Sequence, residues 1–283
     1  NLLNEAALLT ARKGQNRIGM PELENAIDRV IAGPERKTLV MSEKDKLVTA
    51  YHESGHVIVG HVLTHADPIH KVSIVARGRA LGWTLSLPTE DKYIVTRSEL
   101  RDELAVLMGG RTAEELIFEE PTTGAQNDIE KATEIARAMI TEYGMSEVLG
   151  PQQLGQKNHE VFLGREFGHQ ANYSEEVASR IDAELRALID NAHEEARAIL
   201  TIHRDTLDSL AAALMEKETL DTPDVMKILG DLPPWPGRHA ANGNGNGARR
   251  RTSTGASARS AARAPRPAAA TRRATGTPRK RPS

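Results

Sequence analysis

The sequence predicts a mainly α-helical protein with one small β-sheet. Three observations carry this. Apolar residues recur at helical spacing along most of the 283 residues. Only the stretch between Ile69 and Leu87 has short β-branched runs bounded by Gly and Pro, the pattern of strands. Toward the C-terminus the apolar stripes are rich in Ala, the strongest helix former.

Taken in order, Asn1 to Arg12 sets Leu2, Leu3, Ala6, Ala7 and Leu9 on overlapping helical faces with no N-cap residue before them, which reads as the cut edge of a longer unit. After the turn at Gly14 to Gly19, Pro21 opens a second helix striped by Leu23, Ala26, Ile27, Val30 and Ile31, and Gly33-Pro34 ends it. Two helices this short bury little by themselves, so they are expected to belong to a domain whose larger part lies upstream. Beyond the connector Glu35 to Lys37, Ser42 and Asp45 form a capping-box-like start for a helix running to about Leu63. His70 to Val75 and Gly82 to Leu87 read as a hairpin or small sheet, separated by Arg77-Gly78-Arg79 and closed by Pro88. Helical patterning resumes over Ser98–Phe118, about Asn127–Tyr143, Ser174–His203 and Thr206–Glu216, and a last helix starts at Thr222-Pro223 and stops at Gly230. Within this pattern, Gly109-Gly110-Arg111 reads as a kink or tight crossing in preference to a phosphate loop.

The formal net charge of −2 hides a split. Residues 248–283 hold 11 of the 37 basic side chains and no acidic one, so residues 1–247 set 26 basic against 39 acidic groups, a net −13. The basic end, built from Arg, Ala, Pro, Thr, Ser and Gly, cannot bury enough apolar surface to offset its ordering entropy and is expected to be disordered. Zero Cys excludes disulfides, a thiol nucleophile and any Cys-ligated metal, so a metal must be held by His and carboxylate. Aromatic residues make up only 3% of the chain, which argues against a base-stacking surface for single-stranded nucleic acid. No run reaches the roughly 18 apolar residues of a membrane span, and nothing at the N-terminus resembles a signal peptide.

His52-Glu53-Ser54-Gly55-His56 is an H-E-x-x-H sequence inside the first long helix. Residues four apart stack on one helical face, so His52 and His56 can share one metal while Glu53 reaches beside it. Two neutral imidazoles leave a zinc ion charged enough to acidify bound water, and Glu53 is the general base and then general acid for that water's proton. Gly55 in mid-helix costs about 1 kcal/mol relative to Ala, which points to a close approach there. The third ligand is open. A metzincin extension would need Gly and His where Val59 and Val62 stand. His61 points elsewhere round the helix, and His65 and His70 read as polar-face residues. Periodicity does not choose among Glu90, Glu99, Glu114, Glu115 and Asp128.

A family resemblance supplies what spacing leaves open. Asn1-Leu2-Leu3-Asn4-Glu5-Ala6-Ala7, Gly33-Pro34-Glu35-Arg36-Lys37, Ala50-Tyr51-His52-Glu53-Ser54-Gly55-His56, Gly78-Arg79-Ala80-Leu81-Gly82, Gly109-Gly110-Arg111-Thr112-Ala113-Glu114-Glu115 and Thr123-Gly124-Ala125-Gln126-Asn127-Asp128 occur in one order. Over roughly residues 1–232 the chain resembles the FtsH family of membrane-anchored, ATP-dependent zinc metalloproteases. The resemblance implies Asp128 as third zinc ligand and one zinc per chain. It implies that residues 1–34 are the end of an AAA+ ATPase lid, 35–232 a helical zinc metallopeptidase domain and 233–283 a basic Arg/Ala/Pro-rich tail. It also implies a homohexamer acting on unfolded or targeted membrane and cytosolic proteins, held at the cell membrane by an upstream anchor with this region on the cytoplasmic side. No G-x-x-x-x-G-K-[ST] loop occurs in these residues, so ATP and Mg²⁺ are expected only through an upstream ATPase domain. Ser54 stands where the family usually has Ala, a change of one hydroxyl that should leave metal binding unaffected.

Two further expectations concern substrate and tail. Gly82 to Leu87, with Gly82, Thr84 and Ser86 on one side, is expected to offer a strand edge to which an extended substrate adds through backbone hydrogen bonds. The basic tail is expected to contact anionic lipid or the acidic body, and specific nucleic-acid binding is disfavoured. The competing reading is a binding module: an inactive, metal-bearing helical scaffold whose Arg-rich tail grips an anionic partner. An intact Glu53 beside both His residues weighs against it.

Overall fold

The computed structural model describes residues 1–36, 41–78, 80–88, 91–155 and 173–236. Lys37, Arg79, Glu90 and the basic tail beyond residue 236 lie outside them. Eight α-helices fall in the described residues: α1 (Leu2–Arg12), α2 (Met20–Ile31), α3 (Glu43–Val62), α4 (Arg97–Phe118), α5 (Gln126–Thr141), α6 (Glu175–Ile202), α7 (Arg204–Lys217) and α8 (Thr222–Leu229). Three strands, β1 (Ile69–Ser73), β2 (Trp83–Ser86) and β3 (Thr219–Asp221), form one antiparallel sheet in the order β2-β1-β3. The mainly α class with a small sheet is borne out.

Local sequence explains the element starts. Ser42 Oγ accepts from the Asp45 amide at 3.1 Å and donates to the Asp45 carboxylate at 2.7 Å, closing the start of α3. Thr96 and Glu99 make a reciprocal capping box for α4, and Ser174 accepts from the Val177 amide to start α6. β1 stops two residues before the expected Val75 because the Val75 amide donates to Ser73 Oγ at 3.1 Å, leaving the ladder. β3 has no periodic signature at three residues. It exists through pairing, with Val72 opposite Leu220.

α3 is the centre of the fold. Its second half is buried on all sides, from Thr49 through Gly60 save for the half-buried Tyr51, between α4 on one flank, α7 on another and the sheet. Ile58, Leu104, Met139, Ile199, Leu207, Leu210 and Leu214 are fully buried and bring α3 to α7 into one core. Tyr51 adds a hydrogen bond to Asp208 at 3.0 Å and an edge-on contact with Phe118. Trp235, within the stretch expected to be tail, packs on this core; its amide donates to Val62 O at 2.7 Å and its indole N–H to Glu195 at 3.2 Å.

The α1–α2 hairpin is pinned by Arg29–Glu5 at 2.8 Å and Lys13–Glu22 at 2.9 Å, and joined to the sheet by Lys71–Asp28 at 3.1 Å. The segment after α2 also runs beside the loop into β2, where the Arg36 amide donates to Ala76 O and the Gly78 amide to Pro34 O. Leu3, Leu8, Met20, Val30 and Ile31 remain exposed on the hairpin.

The Gly109-Gly110 pair is a tight crossing inside an unbroken helix. A Cβ on Gly55 would run into Gly109 O and stand 2.8 Å from Ala113 Cβ, while one on Gly109 would stand 2.9 Å from Gly55 O. Helix propensity favours Gly55→Ala by about 1 kcal/mol. The obstacle is backbone that cannot swing away, and overpacking of this kind costs about 1–3 kcal/mol. Gly55→Ala is therefore expected to lower the midpoint of thermal unfolding, and an unchanged midpoint would refute the close crossing.

Candidate metal centre

His52 and His56 lie one helical turn apart on the face of α3 that meets α4, as their spacing requires. Asp128 comes from the first turn of α5, where a carboxylate is favoured by the helix dipole. These three residues form the group whose ligand atoms converge among the described residues. His52 Nε2 and His56 Nε2 are 3.1 Å apart, Asp128 Oδ2 is 3.2 Å from the first, and it is 3.5 Å from the second. Donors about 2.0–2.1 Å from a tetrahedral zinc stand about 3.3–3.4 Å from one another. The three edges match that face closely enough to hold the ion without moving a backbone.

Gly110 gives the second test of fit. A Cβ there would lie 2.5 Å from His52 Nε2 and 2.6 Å from His56 Nε2. Only glycine lets α4 pass this close to the two ligand nitrogens, so the helix crossing leaves free the volume the donors point into.

The outer ring nitrogens are also committed. His52 Nδ1 faces Glu114 Oε1 at 2.7 Å and His56 Nδ1 faces Val106 O at 2.7 Å. Both acceptors fix the rings with Nδ1–H outward and Nε2 free for metal, the usual support of an imidazole ligand. Glu114 is almost fully buried, and its other oxygen accepts from the Thr122 amide at 2.7 Å. Thr122 in turn caps the 3₁₀ turn Thr123–Ala125 that leads into α5, through a hydrogen bond from the Gly124 amide at 3.1 Å. One carboxylate therefore ties the His52 ring to the segment that delivers Asp128.

Electrostatics follow from the crowding of acid and base. Burial pushes His52 down, but hydrogen bonds to Asp128 and Glu114 outweigh it, and its pKa is raised to about 10. Burial would raise Asp128, yet its bonds to His52 and His56 hold it well below the carboxylate range. Glu114 is lowered as well, its burial outweighed by the His52 and Thr122 contacts. The His52 ring thus stands between two carboxylates, Glu114 at Nδ1 and Asp128 at Nε2.

Of the five carboxylates that spacing left open, the structure separates four. Asp128 joins the histidines. Glu114 supports His52 from behind. Glu99 caps α4. Glu115 is held by Arg111, His193 and Arg197 and is not part of the converging group. Glu90 lies outside the described residues. His65 pairs with Asp102 at 2.9 Å, and neither His61 nor His70 joins the group. The Ser54 hydroxyl donates to Ala50 O at 2.6 Å within its own helix, so the departure from Ala is satisfied locally.

Glu53 is 5% exposed and accepts a hydrogen bond from Thr84 Oγ1 at 2.7 Å. Gly82 also abuts it, since a Cβ there would lie 2.6 Å from Glu53 Oε1. Ser86 makes no hydrogen bond to Glu53 or the trio among the described residues; it pairs with Ile69 at the bulged end of the ladder. Sequence reasoning missed the supporting parts. The Val106 carbonyl has no side-chain signature, and Glu114 stood among the possible ligands with nothing to reveal its role behind one.

Glu114→Gln should weaken zinc binding about 10- to 100-fold. The amide nitrogen of Gln would have to face either the His52 N–H or the Thr122 N–H, two donors. Competition against a chromophoric chelator measures this, and unchanged affinity would remove Glu114 from the site.

The chain is 56% identical over 236 residues to "ATP-dependent zinc metalloprotease FtsH 1" of Sphaerobacter thermophilus, covering 83% of this chain and 36% of that protein. It is 53% identical over 231 residues to "ATP-dependent zinc metalloprotease FtsH" of Slackia heliotrinireducens, covering 82% and 30%. Against "ATP-dependent zinc metalloprotease FtsH 3" of Symbiobacterium thermophilum it is 53% identical over 238 residues, covering 83% and 38%. The chain thus spans about a third of the length of these relatives. The description of peptidase family M41 matches residues 39–228, from just before the cap of α3 to the end of α8, and the chain belongs to that family.

Proposed function

We propose that this chain is the peptidase part of an ATP-dependent zinc endopeptidase, with His52, His56 and Asp128 as zinc ligands and Glu53 as the catalytic base. The observation that carries the reading is the convergence of two imidazole nitrogens and one carboxylate oxygen at tetrahedral spacing, beside a buried Glu one residue along α3. A zinc ion held there supplies the Lewis acidity that acidifies the attacking water and polarises the scissile carbonyl. Glu53 takes the water's proton as the new C–O bond forms and delivers it to the amide nitrogen as the C–N bond breaks. Asp128 offsets part of the metal charge, and Glu114 and the Val106 carbonyl keep both imidazoles oriented. An intact, buried Glu53 weighs against an inactive scaffold.

β2 is an edge strand, paired with β1 on one side and with no strand on the other among the described residues. An extended polypeptide added to that edge would run past Glu53, held by backbone hydrogen bonds with little sequence preference. This supports unfolded protein as the substrate class, with Gly82, Thr84 and Ser86 on the receiving strand.

The relatives' names support ATP dependence, which on this reading comes from an ATPase domain upstream of residues 1–34, the end of its lid, with 35–232 as the peptidase domain. A homohexamer, an upstream anchor in the cell membrane and a cytoplasmic position complete the proposal, and no helix among the described residues is long and apolar enough to cross a membrane.

Glu53→Gln is expected to abolish casein hydrolysis while leaving zinc content unchanged. Full activity in that variant would sink the mechanism. Peptides N-methylated at alternate backbone amides should show a raised KM if the strand edge receives them, and an unaltered KM would remove β2 from substrate binding.

A further inference from the structure

The geometry points to Thr84 as the positioning residue of the catalytic base: its hydroxyl fixes one oxygen of Glu53 so that the other is left free for the water. The assignment rests on the reading of Glu53 as base and adds a role for β2 beyond receiving substrate.

Glu53 sits on a helix with a flexible side chain, and helix geometry alone leaves its carboxylate several orientations. Two contacts, one from β2 and one from Gly82 just before it, restrict that freedom. Thr84 Oγ1 donates to Oε2 at 2.7 Å, a short, charge-assisted hydrogen bond. Gly82 abuts the same side chain, where an added Cβ would be 2.6 Å from Oε1, 2.9 Å from Glu53 Cγ and 2.6 Å from Thr49 Cγ2. Both positions meet Glu53, Thr84 from the strand and Gly82 from the bend that leads into it. Thr84 donates the one hydrogen bond that Glu53 accepts among the described residues, and Oε1 accepts none. The carboxylate is therefore tethered at one oxygen and bounded, without being bonded, at the other.

The strand holds this position because its own register is fixed. Trp83 pairs with Ser73, Thr84 with Val72 and Leu85 with Lys71, and the Leu87 amide donates to Pro68 O at 3.1 Å beyond the strand end. Thr84 keeps its proton throughout. The proton that moves is the water's, first onto Glu53 Oε1 and then to the amide nitrogen, while the Thr84 hydroxyl stays a donor to Oε2. The same strand that would receive the substrate backbone thus sets where the base stands relative to it.

Thr84→Val keeps the β-branched shape and removes the hydroxyl, and Thr84→Ser keeps the hydroxyl. In the intact, zinc-loaded protein, Thr84→Val should lower kcat for peptide hydrolysis about 10- to 100-fold, with KM within about two-fold of wild type and zinc content unchanged. Thr84→Ser should recover most of the loss. A second reading needs no turnover: Thr84→Val should lower the thermal unfolding midpoint when Glu53 is present and leave it unmoved in a Glu53→Ala background. A raised KM with normal kcat would make Thr84 a substrate contact only and overturn the assignment. So would a Thr84→Ser variant as slow as Thr84→Val, or additive effects on the midpoint. If Glu53→Gln were fully active, the base reading itself would fall and this role with it; if Glu53→Gln is dead and Thr84→Val is normal, only the role of Thr84 falls.

Discussion

The close crossing of α3 and α4 is the constraint on which the rest depends. Gly55 and Gly109 bring two helix backbones together where any side chain would strike a carbonyl. That proximity sets the distances at the metal site. Val106 O can reach His56, Glu114 can reach His52, and Gly110 can pass the ligand nitrogens, because α4 lies this near. Glycine is a poor mid-helix residue by about 1 kcal/mol. Three of them at one crossing are accounted for by the approach they permit.

From this crossing the site is assembled by a chain of hydrogen bonds across sequence-distant elements. Glu114 connects His52 on α3 to Thr122, and Thr122 shapes the turn into α5. Asp128 is thereby delivered against both imidazoles by the same carboxylate that orients one of them. A buried acid is costly unless it is fully paired, and Glu114 has a partner on each oxygen. Such a residue resembles a ligand in composition and burial but works one layer out.

The other side of α3 meets the sheet. Its helical repeat sends His52 and His56 toward α4 and Asp128, and the next residue, Glu53, toward Gly82 and Thr84. The converging trio and Glu53 are thus held by different layers, the trio by helices and Glu53 by the sheet side. β1 binds this layer to the remainder, pairing with β3 and reaching the α1–α2 hairpin through Lys71 and Asp28.

Much of this was legible in the sequence because it depends on local rules. Ser42 and Ser174 stand at helix starts that the pattern marks, Gly230 and Pro223 punctuate α8, and H-E-x-x-H on a helix determines that two imidazoles share a face whatever surrounds them. The spacing of Gly55 and Gly109-Gly110 signalled a close approach without saying to what. Other features belong to pairing across long sequence distances, and the chain carries no local mark of them. β3 is a strand because Leu220 meets Val72, and Val106 matters through a carbonyl that every residue has. Asp128, Glu114, Glu99 and Glu115 are alike as carboxylates on or beside helix starts and faces. The sequence by itself determined the helices, the two histidines and the Glu beside them; the tertiary structure decided which acid meets both imidazoles, which acid stands behind His52 and which hydroxyl holds Glu53, since those choices rest on distances between elements that only packing brings together.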